Sequence, residues 1–150
     1  MSELRELYQE VILDHGRNPR NFSELPDATH SKEGFNPLCG DKVKIYLREQ
    51  NEKIEDISFS GCGCAISMAS TSLMIETIKG KSIKSIVSTF ELFQKLLTGE
   101  ELTELELESL GKLFVLKGVA EFPARVKCAT LAWHTLKAIL DNDSSKISTE

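Results

Sequence analysis

The order in which two hydrophobic periodicities follow one another most constrains the fold of this chain. Apolar and polar side chains alternate through residues 42–48 and again through residues 56–60, with a polar turn at Gln50-Asn51 between them. A period of two predicts two antiparallel strands, each with one face toward water. A third strand is predicted over residues 28–35.

Segments whose apolar residues follow a helical spacing lie before and after the predicted strands. One helix is predicted before the strands and four after them, over residues 2–18, 65–79, 82–98, 100–110 and 123–140. The first ends before Pro19, because a residue that precedes proline disfavours helical dihedrals, and Pro123 is well placed to begin the last. Strands grouped together and followed by helices indicate an α+β domain in which helices pack on a small antiparallel three-stranded sheet.

The length and charge of the chain limit its organisation and its partners. With 150 residues, the sequence predicts a single domain over residues 1–140 and a flexible tail over residues 141–150. The net charge of -5 argues against nucleic acid as a partner, because phosphate binding needs a basic face. No window approaches the ~20 apolar residues of a membrane span, and the charged beginning of the chain does not resemble a signal peptide. We therefore expect a cytoplasmic protein without a membrane partner.

Four cysteines lie where one predicted element gives way to the next. Cys39 and Asp41 come just before a strand, Cys62 and Cys64 follow the next strand, and Cys128 lies early in the last helix. If the two strands form a hairpin, the residues before the first strand and after the second lie at the same end of it. The hairpin then makes Cys39 a neighbour of the Cys62/Cys64 pair.

These residue types favour metal or sulfur chemistry. Three thiolates and Asp41 make a complete tetrahedral zinc shell, and the same groups can hold an iron-sulfur cluster. The positive ends of helices near Cys64 and Cys128, with Arg125 and Lys127 close in sequence, favour the thiolate form. In a reducing compartment metal ligands are expected more often than disulfides. Unrelated core or surface cysteines are the plainer alternative.

Four ordered motifs resemble the U-type iron-sulfur assembly proteins, the IscU and SufU group. They are Asp14-His15 with Asn18 through Asn21, Asn36 through Asp41, Gly61 through Ser67, and Pro123 through Thr130. The resemblance covers nearly the whole chain. It implies the α+β fold of the SufE/NifU-like proteins.

Within that group the chain is more similar to the SufU branch, which resembles a zinc-dependent sulfur acceptor. Residues 90–118 resemble the long form of this segment in that branch, and Lys127 stands where scaffold-type members place a histidine. The resemblance implies that the zinc ligands are Cys39, Asp41, Cys64 and Cys128. Cys62 takes the position of the scaffold-type cysteine, so it is kept as an alternate ligand of the metal or cluster, or as a second thiol.

The leading hypothesis from this resemblance is a sulfur relay. A pyridoxal-phosphate cysteine desulfurase of the SufS or IscS type presents a persulfide, and Cys39 accepts its terminal sulfur after leaving the zinc. Arg125 then holds the released thiolate or persulfide. The alternative is a scaffold for a [2Fe-2S] cluster with Asp41 as a labile ligand, which passes the cluster to downstream assembly proteins or apo-proteins. A structural zinc module is the third reading.

Several other residues are interpreted as structural. His15 is expected to act as a local helix cap or to make a surface contact. His134 and Trp133 are expected to pack in the fold rather than to bind a ligand. The acidic residues in 100–108 are interpreted as a solvated face.

Overall fold

The computed structural model describes residues 2–141 and 147–148. The helices are α1 (Ser2–Arg17), α2 (Ala65–Ile78), α3 (Ile83–Leu97), α4 (Glu104–Leu110) and α5 (Pro123–Leu140), with a 3₁₀ helix over Gly111–Glu121 between α4 and α5. The strands are β1 (His30–Asn36), β2 (Asp41–Gln50), β3 (Lys53–Cys62) and the two-residue β4 (Ile147–Ser148). None of the helices in this part of the chain is long and apolar enough to cross a membrane.

The sheet confirms the predicted α+β class. Its strand order is β3-β2-β1-β4, and β1, β2 and β3 form the antiparallel three-stranded unit expected from the sequence. The short β4 adds in parallel beside Gly34 and Phe35 of β1. Since β4 is the only described part of the chain beyond Asp141, the predicted domain limit and the flexible tail over 141–150 stay predictions.

The core lies between the sheet and helices α2 and α5. Alternate residues of β2 point into it, and Val43, Ile45 and Leu47 are fully buried. Trp133 of α5 stacks on Phe90 of α3, which joins the helical layer to the same core. The buried apolar side chains of these elements form one core.

Helix α2 is buried around nearly its whole circumference. Most of its hydroxyl side chains have acceptors inside the protein, which lowers the cost of burying them, whereas the buried Ser67 hydroxyl has no partner among the described residues. Ser70 donates to the carbonyl of Ala129 at 2.6 Å, and Thr71 donates to that of Ser67 at 2.8 Å. These short polar residues allow α1 and α5 to pack against the same helix.

Helix α1 is fixed to α2 by a buried histidine, which corrects the interpretation of His15 as a cap or surface residue. The His15 side chain is 2% exposed, and its Nδ1 lies 2.7 Å from the Ser72 hydroxyl. Nε2 faces the Glu76 carboxylate at 3.4 Å, which favours the neutral tautomer with its hydrogen on Nε2. In that tautomer Nδ1 accepts from the Ser72 hydroxyl, which itself accepts the Arg20 backbone N–H at 2.8 Å. Close approach at Gly16 makes this possible, since a Cβ there would lie 3.2 Å from Ala65.

We expect the variant His15→Ala to lower the free energy of unfolding by about 1–3 kcal/mol, because the buried Ser72 hydroxyl loses its acceptor. Urea denaturation would measure the loss. The matched control is Leu13→Ala on the same helix, where the side chain is 45% exposed. Equal stability of the two variants would contradict the role given to His15.

Burial also gives His15 a defined pH dependence. Because desolvation lowers the pKa of its imidazole, the unfolded chain binds more protons than the folded chain once the pH falls below about 6.5. The wild-type protein should therefore lose stability as the pH falls through this range, and His15→Ala should lose less. Burial lowers the pKa of His134 as well, so a smaller slope of the same sign remains in the variant.

Candidate metal and sulfur site

Three candidate ligands from different elements meet at one end of the sheet. The thiol sulfurs of Cys39 and Cys128 and a carboxylate oxygen of Asp41 all lie within 4.8 Å of one another. The two sulfurs are 3.2 Å apart, and all four cysteines of the chain are free. The group therefore combines two soft donors and one hard donor around one point.

The β1–β2 hairpin places two of these residues. In the strand register Asn36 pairs with Asp41, so the turn between them consists of residues 37–40 and carries Cys39. Gly40 has a φ of 71°, a left-handed conformation that glycine adopts without strain. Cys128 comes from the second turn of α5, on the side that packs against the sheet.

The Asp41 carboxylate is 0% exposed and is held on both oxygens. Oδ1 accepts the backbone N–H of Cys64 at 2.8 Å, and Oδ2 accepts the Asn36 side-chain amide at 3.2 Å. Gly63 allows this arrangement, because a Cβ at that position would lie only 2.5 Å from Asp41 Oδ1. Two N–H donors thus fix the orientation of the hard ligand.

Cys64 lies beside this group, at the beginning of α2. Its half-buried thiol accepts the backbone N–H of Ser67 at 3.4 Å and so caps the helix. It is also near enough to influence the pKa values of Cys128 and Arg125. To join the cluster as a fourth donor, the thiol would have to turn away from the Ser67 N–H that it now accepts.

Cys62 is placed differently. It pairs with exposed Lys42 in the β2–β3 register, whereas the neighbouring Asp41 faces the interior. Since side chains alternate between the faces of a sheet, Cys62 belongs to the outer face, and its thiol is exposed. The structure thus places Cys64, and not Cys62, next to the buried cluster.

Arg125 supplies the positive charge of the site. It lies in the first turn of α5, and its Nη1 donates to the Cys39 sulfur at 3.7 Å. A hydrogen bond with Cys128 and the nearby Cys64 and Cys39 raise the pKa of Arg125 above its usual value. The guanidinium therefore stays charged over the thiols.

Burial raises the pKa of the Cys128 thiol far above its usual range, and hydrogen bonds with Cys39 and Asp41 add to the effect. The thiolate expected from the positive end of the helix and from Arg125 and Lys127 is therefore not favoured at Cys128, because desolvation outweighs these charges. A bound cation is the group that would offset this cost, since metal binding requires deprotonated thiols. The donor set, mixed in softness and largely shielded from water, fits zinc.

Comparison with known proteins places the chain in a family. The family described as NifU-like N terminal domain matches residues 7–129, a span that includes all four cysteines. The chain belongs to this family. Its predicted membership of the U-type group is thereby confirmed.

Several named relatives of the chain are similar over nearly its full length. The zinc-dependent sulfurtransferase SufU of Bacillus subtilis (strain 168) is 41% identical over 136 residues, which cover 91% of this chain and 90% of that protein. The iron-sulfur cluster assembly scaffold protein IscU of Streptococcus pyogenes serotype M1 is 37% identical, covering 97% of this chain and 89% of the relative.

Solved structures give the same answer for the fold. The crystal structure of a putative iron-sulfur cluster assembly scaffold protein for the SUF system from Fervidobacterium islandicum AW-1 has a TM-score of 0.82 and 36% identity, and it covers 90% of this chain and 97% of that one. The N-terminal part of a NifU-like protein from Brucella abortus has a TM-score of 0.76 at 17% identity, which shows the fold alone.

Sequence reasoning missed one residue at the site. Asn36 was noted only as part of a family-like motif, yet its side chain is 0% exposed and contacts Asp41 and Cys128. A hairpin with a four-residue turn pairs position 36 with position 41, so the strand register was the signal that could have found it.

The close contact at Gly63 gives a direct test of the site. The variant Gly63→Ala should displace the Asp41 carboxylate and weaken zinc binding by about 10–100-fold, the range seen when residues that support metal ligands are changed. Competition with a chromophoric chelator would measure the affinity. Gly118→Ala is the control, because a Cβ at Gly118 meets nothing within 4 Å. Equal zinc affinity of the two variants would contradict the assignment of Asp41 as a zinc ligand.

Proposed function

We propose that this protein is an iron-sulfur cluster assembly protein that accepts sulfur from a cysteine desulfurase at a zinc-binding cysteine site. The observation that carries the proposal is the meeting of Cys39, Asp41 and Cys128 within 4.8 Å of one another beneath the guanidinium of Arg125. Cys39, Asp41, Cys64 and Cys128 would hold the zinc. When bound, zinc keeps thiols deprotonated at neutral pH and blocks them from reaction.

Cys39 is the best placed acceptor among the proposed zinc ligands. Its thiol is half-buried, whereas that of Cys128 is 1% exposed, and it lies on a short turn rather than within a helix or strand. Leu38 beside it is 62% exposed, so a partner protein can reach this turn. Gly40 gives the turn the freedom to move Cys39 out of the ligand set.

The transfer itself is a thiol exchange that needs no external oxidant or reductant. The Cys39 thiolate attacks the terminal sulfur of a persulfide on the desulfurase, and a new S–S bond forms at Cys39. The S–S bond within the donor persulfide breaks, and its electron pair leaves with the donor cysteine as a thiolate. The proton of the persulfide stays with the transferred sulfur or passes to the departing thiolate.

Arg125 would stabilise the anionic sulfur before and after the transfer. Its Nη1 already donates to Cys39, and a charged donor stabilises a thiolate or a persulfide anion more than a neutral one does. The Arg125 side chain is exposed and contacts Cys39, so a docked partner could reach it at the surface of the site. The partner would be a pyridoxal-phosphate enzyme, since such enzymes generate persulfides from cysteine.

The scaffold reading is the second candidate, and it has support from the relatives named as IscU scaffolds. Cys39, Cys128 and either Cys62 or Cys64 would carry a [2Fe-2S] cluster as cargo for downstream assembly proteins or apo-proteins, with Asp41 as a labile ligand. Against it, both oxygens of Asp41 accept hydrogen bonds within the protein, whereas a cluster that must leave needs a weakly held ligand. The cytoplasmic location predicted from the sequence stays a prediction under either reading.

The test is sulfur transfer followed by mass spectrometry. Zinc-loaded protein, purified without oxygen, would be incubated with a cysteine desulfurase of the SufS type and cysteine. We expect a one-sulfur mass gain on the peptide that contains Cys39, no gain in Cys39→Ser, and slower transfer by about 10-fold or more in Arg125→Ala. The matched control Cys62→Ser should transfer sulfur like the wild type.

Other outcomes would contradict the relay. A sulfur that still adds to Cys39→Ser would show that another thiol is the acceptor. Metal and acid-labile sulfide analysis of protein purified without oxygen gives the second outcome. Iron and sulfide in equal amounts, both lost in Cys62→Ser, would favour the scaffold. Complete absence of persulfide together with unfolding on zinc removal would leave a structural zinc module.

A further inference from the structure

One side-chain amide contacts two of the proposed ligands. Asn36 is the last residue of β1, and its Nδ2 donates to Asp41 Oδ2 at 3.2 Å and to Cys128 Sγ at 3.5 Å. The side chain is 0% exposed. The two N–H bonds of a single amide thus connect the hard ligand of the site to its most buried thiol.

The orientation of the Asn36 amide leaves its oxygen without a hydrogen bond among the described residues, and the neighbouring Asp41 ligand is the reason. Its Oδ1 is buried and has no hydrogen-bond partner in the described part of the chain. A buried acceptor without a donor is destabilising by about 1–3 kcal/mol. Rotating the amide by 180° would place its oxygen against the Asp41 carboxylate, which has no hydrogen to donate to it. Asp41 therefore determines which way the Asn36 amide points.

The contacts divide the site into a held part and a loose part. Asp41 is held by Asn36 and by the Cys64 N–H, and Cys128 is held by Asn36 and by its place within α5. Cys39 has no contact with Asn36 among the hydrogen bonds of the described residues, and it lies on the turn. Its donors are the Cys128 thiol and the exposed Arg125, and a docking protein can reach Arg125.

We propose that Asn36 is a positioning residue that keeps Asp41 and Cys128 bound to the zinc while Cys39 leaves it. This inference rests on the proposed function, in which Cys39 is the thiol that exchanges. Hydrogen bonds from an N–H to a metal-bound carboxylate or thiolate orient the ligand and stabilise its negative charge. Asn36 supports Asp41 and Cys128 in this way and makes no such hydrogen bond to Cys39 among the described residues.

The test compares how fast each cysteine of the zinc-loaded protein reacts with iodoacetamide, without any desulfurase present. In the wild type we expect Cys39 to be alkylated well before Cys128. In Asn36→Ala and in Asn36→Leu, which keeps most of the side-chain volume, the rate at Cys128 should rise relative to Cys39 by about 10-fold or more. Zinc affinity should fall by about 10–100-fold. Mass spectrometry of the separated peptides gives the rates.

Ser58→Ala is the matched control, because Ser58 is also a buried polar residue of the sheet with a partnerless side-chain oxygen in the described part of the chain. It should leave the order of alkylation unchanged. Loss of zinc from an Asn36 variant whose zinc-free form melts like the control would also support the proposal. An unchanged ratio of rates in both variants, or unfolding of both even with zinc, would overturn it and leave Asn36 a structural residue.

The outcome is separable from that of the proposed function. If Cys39 accepts sulfur but the alkylation ratio does not change in the Asn36 variants, only the role of Asn36 fails. If the ratio changes but the sulfur is found on another cysteine, Asn36 keeps its role and the assignment of Cys39 as the acceptor fails.

Discussion

The buried carboxylate of Asp41 is the constraint on which the rest of the site depends. One oxygen accepts from Asn36 at the end of β1, and the other accepts from the Cys64 N–H where β3 gives way to α2. An ionised carboxylate without such donors would be strongly destabilising at full burial. The two hydrogen bonds therefore join β1, β2 and the β3–α2 connection, and they fix the end of the sheet that receives the thiols.

The other elements complete the site around this carboxylate. Helix α5 packs across the sheet and brings Cys128 to Asp41, while the short β1–β2 turn brings Cys39 to the same point. Helix α2, which α1 holds through His15 and Ser72, carries Cys64 at its beginning. The site thus combines rigid support on the inside with one thiol on a turn that a partner can reach. Such a combination suits a reaction in which one ligand must leave while the others stay.

Much of this arrangement could be predicted from the sequence. Alternating apolar residues defined the β2–β3 hairpin, and the hairpin placed Cys39 at the same end as the Cys62/Cys64 pair. Residue type and placement suggested Cys128 as a further ligand, but its position beside Asp41 depends on how α5 packs, and helix packing angles do not follow from periodicity. The choice of Cys64 as the neighbour of Asp41 gained a physical reason from the strand register, which pairs Cys62 with Lys42.

The features that escaped prediction depend on contacts between residues distant in sequence. His15 is buried because α1 crosses α2 closely at Gly16, and nothing within α1 indicates that crossing. Ser70 and Thr71 of α2 are polar, yet they can be buried because a carbonyl of α5 and a carbonyl of their own helix accept their hydrogens. The effect of burial on the Cys128 thiol likewise depends on the packing of α5, which the charges of Arg125 and Lys127 do not reveal.

The most direct test of the account is X-ray absorption at the zinc edge for the wild type, Cys62→Ser and Cys64→Ser. A zinc shell of Cys39, Asp41, Cys64 and Cys128 gives about three sulfur ligands and one oxygen ligand in the wild type and in Cys62→Ser, and one sulfur fewer in Cys64→Ser. Loss of a sulfur ligand in Cys62→Ser, with the full set kept in Cys64→Ser, would contradict it.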